Sequence, residues 1–99
     1  MPESKRGALY GFKYTRAALD GLRKIEPKKV RQQVKKRIDK LASNPRPRGT
    51  KPLTGIDHEG DPVYRVRQGD HRVLYVVRDN PGTIIVLDIG DRKDVYRGR

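Results

Sequence analysis

Arg65, Arg67, Arg72 and Arg92, together with Tyr96, are the side chains of this chain whose types and spacing could do chemistry on an anionic ligand. A guanidinium stays protonated and can clamp a phosphate through two parallel hydrogen bonds. Tyr64-Arg65-Val66-Arg67 alternates apolar and basic residues. On a strand, successive side chains point to opposite faces, so Arg65 and Arg67 share one face and Tyr64 and Val66 the other. If the polar stretch Gln68-Gly69-Asp70-His71 closes a hairpin, Arg67 and Arg72 come close to opposite each other. Like charges facing across a sheet cost stability. A chain that accepts this cost repeatedly on one face has an anionic ligand to put there.

The whole composition points the same way. The chain carries a formal net charge of +12 over 99 residues, a field that draws in polyanions and speeds their association. Nucleic acid is the leading candidate and an acidic protein partner the second. Lys28, Lys29, Lys35 and Lys36 belong to a dense basic stripe that is expected to meet RNA phosphates. The absence of cysteine removes disulfides, thiol nucleophiles and thiolate metal sites. Two histidines, His58 and His71, are too few for a metal site, so metal-independent chemistry without a cofactor is expected. No stretch reaches the roughly 20 apolar residues of a spanning helix, and no signal-peptide core follows Met1. A cytoplasmic protein without membrane partners is the expectation.

The elements that must position these side chains form one domain over residues 1–99, with a flexible tail expected over 1–7. Leu9 to Tyr14 reads as a first strand. Thr15 is a good N-cap, and Ala18, Leu19, Leu22 and Ile25 have helical spacing, although Gly21 interrupts them. Val30, Val34, Ile38 and Leu41 give a second amphipathic helix over about 27–42, ended by Ser43-Asn44-Pro45. A loop over 46–62 follows, which Leu53 and Ile56 could pin to the core. Strands are expected over about 63–68, 71–78 and 83–89, with Asp79-Asn80-Pro81-Gly82 as the turn between the last two. Thr83-Ile84-Ile85-Val86-Leu87 is apolar on both faces and belongs in the middle of a sheet. The expectation is an α+β fold, β-α-α-β-β-β. An antiparallel sheet carries a helical hairpin on one face and Arg65, Arg67 and Arg72 on the other.

Three segments, in order and at compatible spacing, resemble the RelE/ParE superfamily of toxins, and RelE-type mRNA endoribonucleases most closely. They are Lys51-Pro52-Leu53-Thr54-Gly55, the run from Tyr64 to Tyr75, and the run from Ile89 to Arg97. The resemblance implies a toxin of a type II toxin–antitoxin system that cuts mRNA in the ribosomal A site. It implies attack of a 2′-hydroxyl on the adjacent phosphate, and neutralisation by a cognate acidic, RelB-like antitoxin. The family's catalytic positions fall on Arg67, Arg72, Arg92 and Tyr96, and a further RNA-binding one on Arg65. Asp91 stands where many members carry histidine, and Arg65 and Arg67 stand where the best-known members carry lysines.

Such cleavage needs a base for the 2′-hydroxyl, positive charge around the pentavalent phosphate and an acid for the leaving 5′-oxygen. Arg67, Arg72 and Arg92 supply the charge. Tyr96 is the candidate base or 2′-hydroxyl orienter, with Arg92 and Arg72 at the leaving side. His71 is a weaker candidate, placed with the RNA-binding group. Two rival readings stand beside this one: a ParE-like gyrase poison and a non-catalytic nucleic-acid-binding module.

Overall fold

In a computed structural model of the chain, residues 9–91 are described. The first strand, β1 (Gly11–Tyr14), runs directly into Thr15, which caps α1 (Arg16–Arg23). The Thr15 hydroxyl accepts the Ala18 N–H at 3.1 Å and donates to the Leu87 carbonyl at 2.7 Å. One threonine thus starts the helix and ties it to the last strand. Gly21 is a packing requirement: a Cβ there would lie 1.9 Å from the Ile89 carbonyl oxygen, so α1 rests directly on strand backbone. A cis Glu26–Pro27 bond precedes α2 (Lys28–Asp39), with Pro27 at the N-cap. Val34 and Ile38 are fully buried, and a 3₁₀ turn over Lys40–Ala42 buries Leu41.

Two short strands, β2 (Asp57–His58) and β3 (Asp61–Pro62), form a small ribbon inside the long loop. Then come β4 (Tyr64–Gln68), β5 (His71–Asp79) and β6 (Gly82–Asp91). The main sheet has the order β1-β6-β5-β4. The doubly apolar run therefore lies inside the sheet, as its composition requires. The expected antiparallel pairing holds for β4, β5 and β6, whereas β1 joins β6 in parallel. Two chain reversals separate β4 from β6 and restore the direction of β4, which is also that of β1.

The two faces of the sheet bury different partners. Val66, Val73, Tyr75, Val77, Ile84, Val86 and Ile89 pack against Ala18, Ile25, Val34, Ile38 and Leu41 of the helical layer. On the other face Val63, Leu74 and Val76 pack with Leu53, Ile56, Ile85 and Leu87. The 46–62 loop thus folds over part of the second face, pinned by Leu53 and Ile56 as expected. The Leu53 N–H bonds the Val63 carbonyl at 2.8 Å. The ribbon's acids hold Arg78, at 3.2 Å from Glu59 and 2.9 Å from Asp61. His58 is half-buried in this ribbon beside Glu59.

Candidate nucleic-acid interface

The β4–β5 hairpin turns on Gly69-Asp70, with Gly69 at φ +60°, a conformation glycine adopts without strain. That turn sets Arg67 directly opposite Arg72 and Arg65 opposite Leu74. On the other side of β5, Arg72 faces Gly90 and Leu74 faces Asp88. Two rows therefore cross the face turned away from the helices: Arg67–Arg72–Gly90 and Arg65–Leu74–Asp88. No side chain stands beyond Arg72 on β6, because the residue there is glycine. Side chains directly opposite on antiparallel strands have Cβ atoms about 4.5–5.5 Å apart. Arg67 and Arg72 are thereby direct cross-strand neighbours, with Arg65 in the adjoining row. Arg67 is exposed, whereas Arg65 and Arg72 are half-buried.

The other expected site residues divide sharply. His71 pairs with Gln68 on one side and Asp91 on the other, and it has the strand parity of Val73 and Tyr75. It therefore lies on the helix side, away from the three arginines, which corrects the expectation that it shares their surface. There it borders a cleft of about 640 Å³ under α1, together with Asp20, Glu26 and Asp91. Lys28, Lys29, Lys35 and Lys36 are exposed on α2, on the opposite side of the molecule from the arginine rows. Lys35 pairs with Asp39 at 2.9 Å. Arg92 and Tyr96 lie outside the described residues.

Tyrosines within the described residues have structural work. Tyr75 is fully buried and donates to the Pro45 carbonyl at 2.8 Å. Burial pushes its phenol up to about 12. Burial, and then the nearby Asp39 charge, pushes Tyr14 up to about 12 as well. Neither is a proton acceptor at neutral pH. Tyr64 packs its ring on Tyr75, 5.8 Å between centroids, with the Arg46 guanidinium 5.8 Å from its own centroid. Tyr10 donates to Asp79, which Arg46 also grips at 3.0 Å. The Tyr10 hydrogen bond, and then Arg46, hold the Asp79 carboxyl below the usual range.

Sequence reading missed Asp88, the carboxylate that the register sets across Leu74 from Arg65. A bulge between Leu74 and Tyr75 shifts the register by one residue and brings it there. Alternation counted from Ile84 gives Asp88 the opposite face. It also missed Arg48 and Lys51 of the loop, which approach Arg65 and Arg67 together with Arg37 from the basic stripe of the second helix. Their proximity is set by how the 46–62 loop folds, which no local spacing encodes.

Comparison with known proteins extends over nearly the whole chain. The sequence profile of the family described as "ParE toxin of type II toxin-antitoxin system, parDE" matches residues 12–96. The fold is similar to a chain of the archaeal RelE-RelB complex from Pyrococcus horikoshii OT3. That match has a TM-score of 0.68 and 30% identity, over 85% of this chain and 96% of that one. A chain of the toxin–antitoxin complex RelBE2 from Mycobacterium tuberculosis aligns with a TM-score of 0.67 and 27% identity. It covers 85% of this chain and 99% of that one. The isolated E. coli RelE toxin aligns with a TM-score of 0.68 and 28% identity, over 88% and 90% of the two chains. No curated protein sequence matches the chain at comparable strength.

Proposed function

This chain belongs to the ParE toxin family, within the RelE/ParE superfamily of type II toxins, and on that premise we propose that it is a RelE-type endoribonuclease. It cuts mRNA in the ribosomal A site and so inhibits translation. The observation that carries this reading is the register of β4 on β5. It lines up Arg65, Arg67 and Arg72 on the face away from the helices, at a cost in repulsion that a bound phosphodiester removes.

The reaction follows from what such a surface can do. The 2′-oxygen of one nucleotide attacks the adjacent phosphorus while the bond from phosphorus to the 5′-oxygen breaks. Charge builds on the equatorial oxygens in the transition state, and Arg67 and Arg72 neutralise it there. Tyr96 takes or orients the 2′-hydroxyl proton, Arg92 and Arg72 stabilise the charge that develops on the leaving 5′-oxygen, and a solvent water gives that oxygen its proton. The products are a 2′,3′-cyclic phosphate and a 5′-hydroxyl end. No metal is required, since the guanidiniums supply the positive charge. The partner that restrains the toxin is an acidic, RelB-like antitoxin, a reading supported by the likeness to chains from RelE-RelB complexes.

Arg72→Ala tests the proposal. Induction of the wild-type chain should arrest growth and leave transcripts cut within codons, bearing 5′-hydroxyl ends. The variant should lose about 10²–10³ in cleavage rate, the usual effect of removing one transition-state donor. Intact transcripts with double-strand DNA breaks trapped on gyrase would replace this reading with a gyrase poison, the activity suggested by the family's ParE name. Undiminished cleavage by the variant would remove Arg72 from the chemistry.

A further inference from the structure

The free edge of β4 opens into a cleft of about 470 Å³ that extends past Arg65 and Arg67, beyond the residues the preceding chemistry uses. Its far wall is the 47–54 loop, and its floor includes Arg37 from α2. Five cations line it, namely Arg37, Arg48, Lys51, Arg65 and Arg67, and among the described residues no carboxylate does. The contrast with the cleft under α1 is direct: Asp20, Glu26 and Asp91 border that one. The basic cleft is also held in shape. The Leu53 N–H bonds the Val63 carbonyl at 2.8 Å, the Thr50 N–H bonds the Pro47 carbonyl at 2.9 Å, and the buried Tyr75 hydroxyl fixes Pro45 at the loop's start.

Arg65 and Arg67 line this cleft and also belong to the arginine rows, so the two surfaces are continuous. A strand of nucleic acid whose phosphate lies between Arg67 and Arg72 would pass over the β4 edge into it. Resting on the RNA-cleaving reading, we propose that this cleft is a second phosphate site for the same RNA strand. Arg37, Arg48 and Lys51 hold the backbone next to the nucleotide being cut. An amphipathic peptide helix fits the lining less well. Such a helix needs apolar anchors at helical spacing, and the cleft offers mainly guanidiniums, ammonium and threonine hydroxyls around Leu53.

The test is binding of a 2′-O-methylated single-stranded RNA, which cannot be cut by 2′-oxygen attack, over a range of salt concentrations. The Arg48→Ala/Lys51→Ala chain is compared with Lys13→Ala/Arg16→Ala, which loses the same charge at the opposite edge of the sheet. Thermal unfolding of each chain confirms folding, and Arg48→Lys/Lys51→Arg checks that restoring the charge restores affinity. The cleft variant should bind on the order of fivefold more weakly than the control variant. Its salt slope should fall by about 0.7 for each phosphate that is no longer neutralised. Equal losses in the two variants would overturn the proposal, as would failure of the wild-type chain to bind this RNA. Unchanged RNA affinity with loss of binding to an acidic antitoxin peptide would reassign the cleft to that partner. Cleavage by a chain whose cleft variant behaves like the control would leave the enzyme and remove the site. Tight RNA binding without cleavage would do the reverse.

Discussion

The two faces of the sheet solve opposite problems with the same strands. Toward the helices, every inward side chain of β5 from Val73 to Val77 is apolar and buried, and charge is kept out. Toward the other side, the same strands alternate into Arg65, Arg67 and Arg72 at one end and into Leu74, Val76 and Ile85 at the other. The helix side holds the sheet in place, and the same strands carry the arginines on their other face. Stability and charge are thus separated by one residue of strand parity rather than by distance along the chain.

The sharpest way to break the helix side is Gly21→Ala. The added methyl would overlap the Ile89 carbonyl, so α1 must lift from β6. A loss of about 3 kcal/mol is expected, at the upper end of overpacking costs, read as a lowered midpoint in urea. Tyr75→Phe should cost about 1–2 kcal/mol, since it leaves the buried Pro45 carbonyl without its donor. On the arginine side the sign reverses. Arg67→Gln removes one of two directly opposed charges and should stabilise the fold by about 0.2–1 kcal/mol while weakening RNA binding. A destabilised Arg67→Gln chain would show that the arginine rows do not repel.

The smallest effect belongs to the latch at the far end of the sheet. The carboxyl of Asp79 is lowered by Tyr10 and Arg46, so the folded state prefers it ionised. Its contribution is present above the unfolded value near 4 and is lost as pH falls through the lower folded value. Asp79→Asn should therefore lower Tm slightly at pH 7, with the gap from wild type narrowing as pH falls below the ordinary carboxylate range. The pair is largely exposed, so the effect should stay within about 0.2–1 kcal/mol.

Much of this was legible from local chemistry. Thr15 reads as a cap because its hydroxyl can serve the next turn, and it does. The run from Thr83 to Leu87 reads as central because both of its faces are apolar, and it lies between β1 and β5. The row of Arg67 and Arg72 follows from alternation and a short turn. Other features were hidden for physical reasons. Gly21 looks like a weak helix residue until the strand beneath it is known. As the first residue of the strand expected over 71–78, His71 already has the parity of Val73, which alternation alone could have shown. The bulge that moves Asp88, and the loop that brings Arg48 and Lys51 to β4, are set by tertiary packing. The parallel edge formed by β1 pairs residues as distant as Gly11 and Thr83, beyond the reach of any local pattern.

That parallel edge has a consequence for the order of assembly. The sixth strand in sequence is the one wedged between the first and the fifth, so before it exists β1 has no partner and β5 has only β4. On a nascent chain emerging at about 5–20 residues per second, the helices have no full platform and the hairpin has one bare flank until residues 82–91 arrive. Contacts spanning such sequence distances also fold slowly. A copy that stops before residue 82 therefore has no strand to join β1 to the hairpin, and its sheet stays in two pieces.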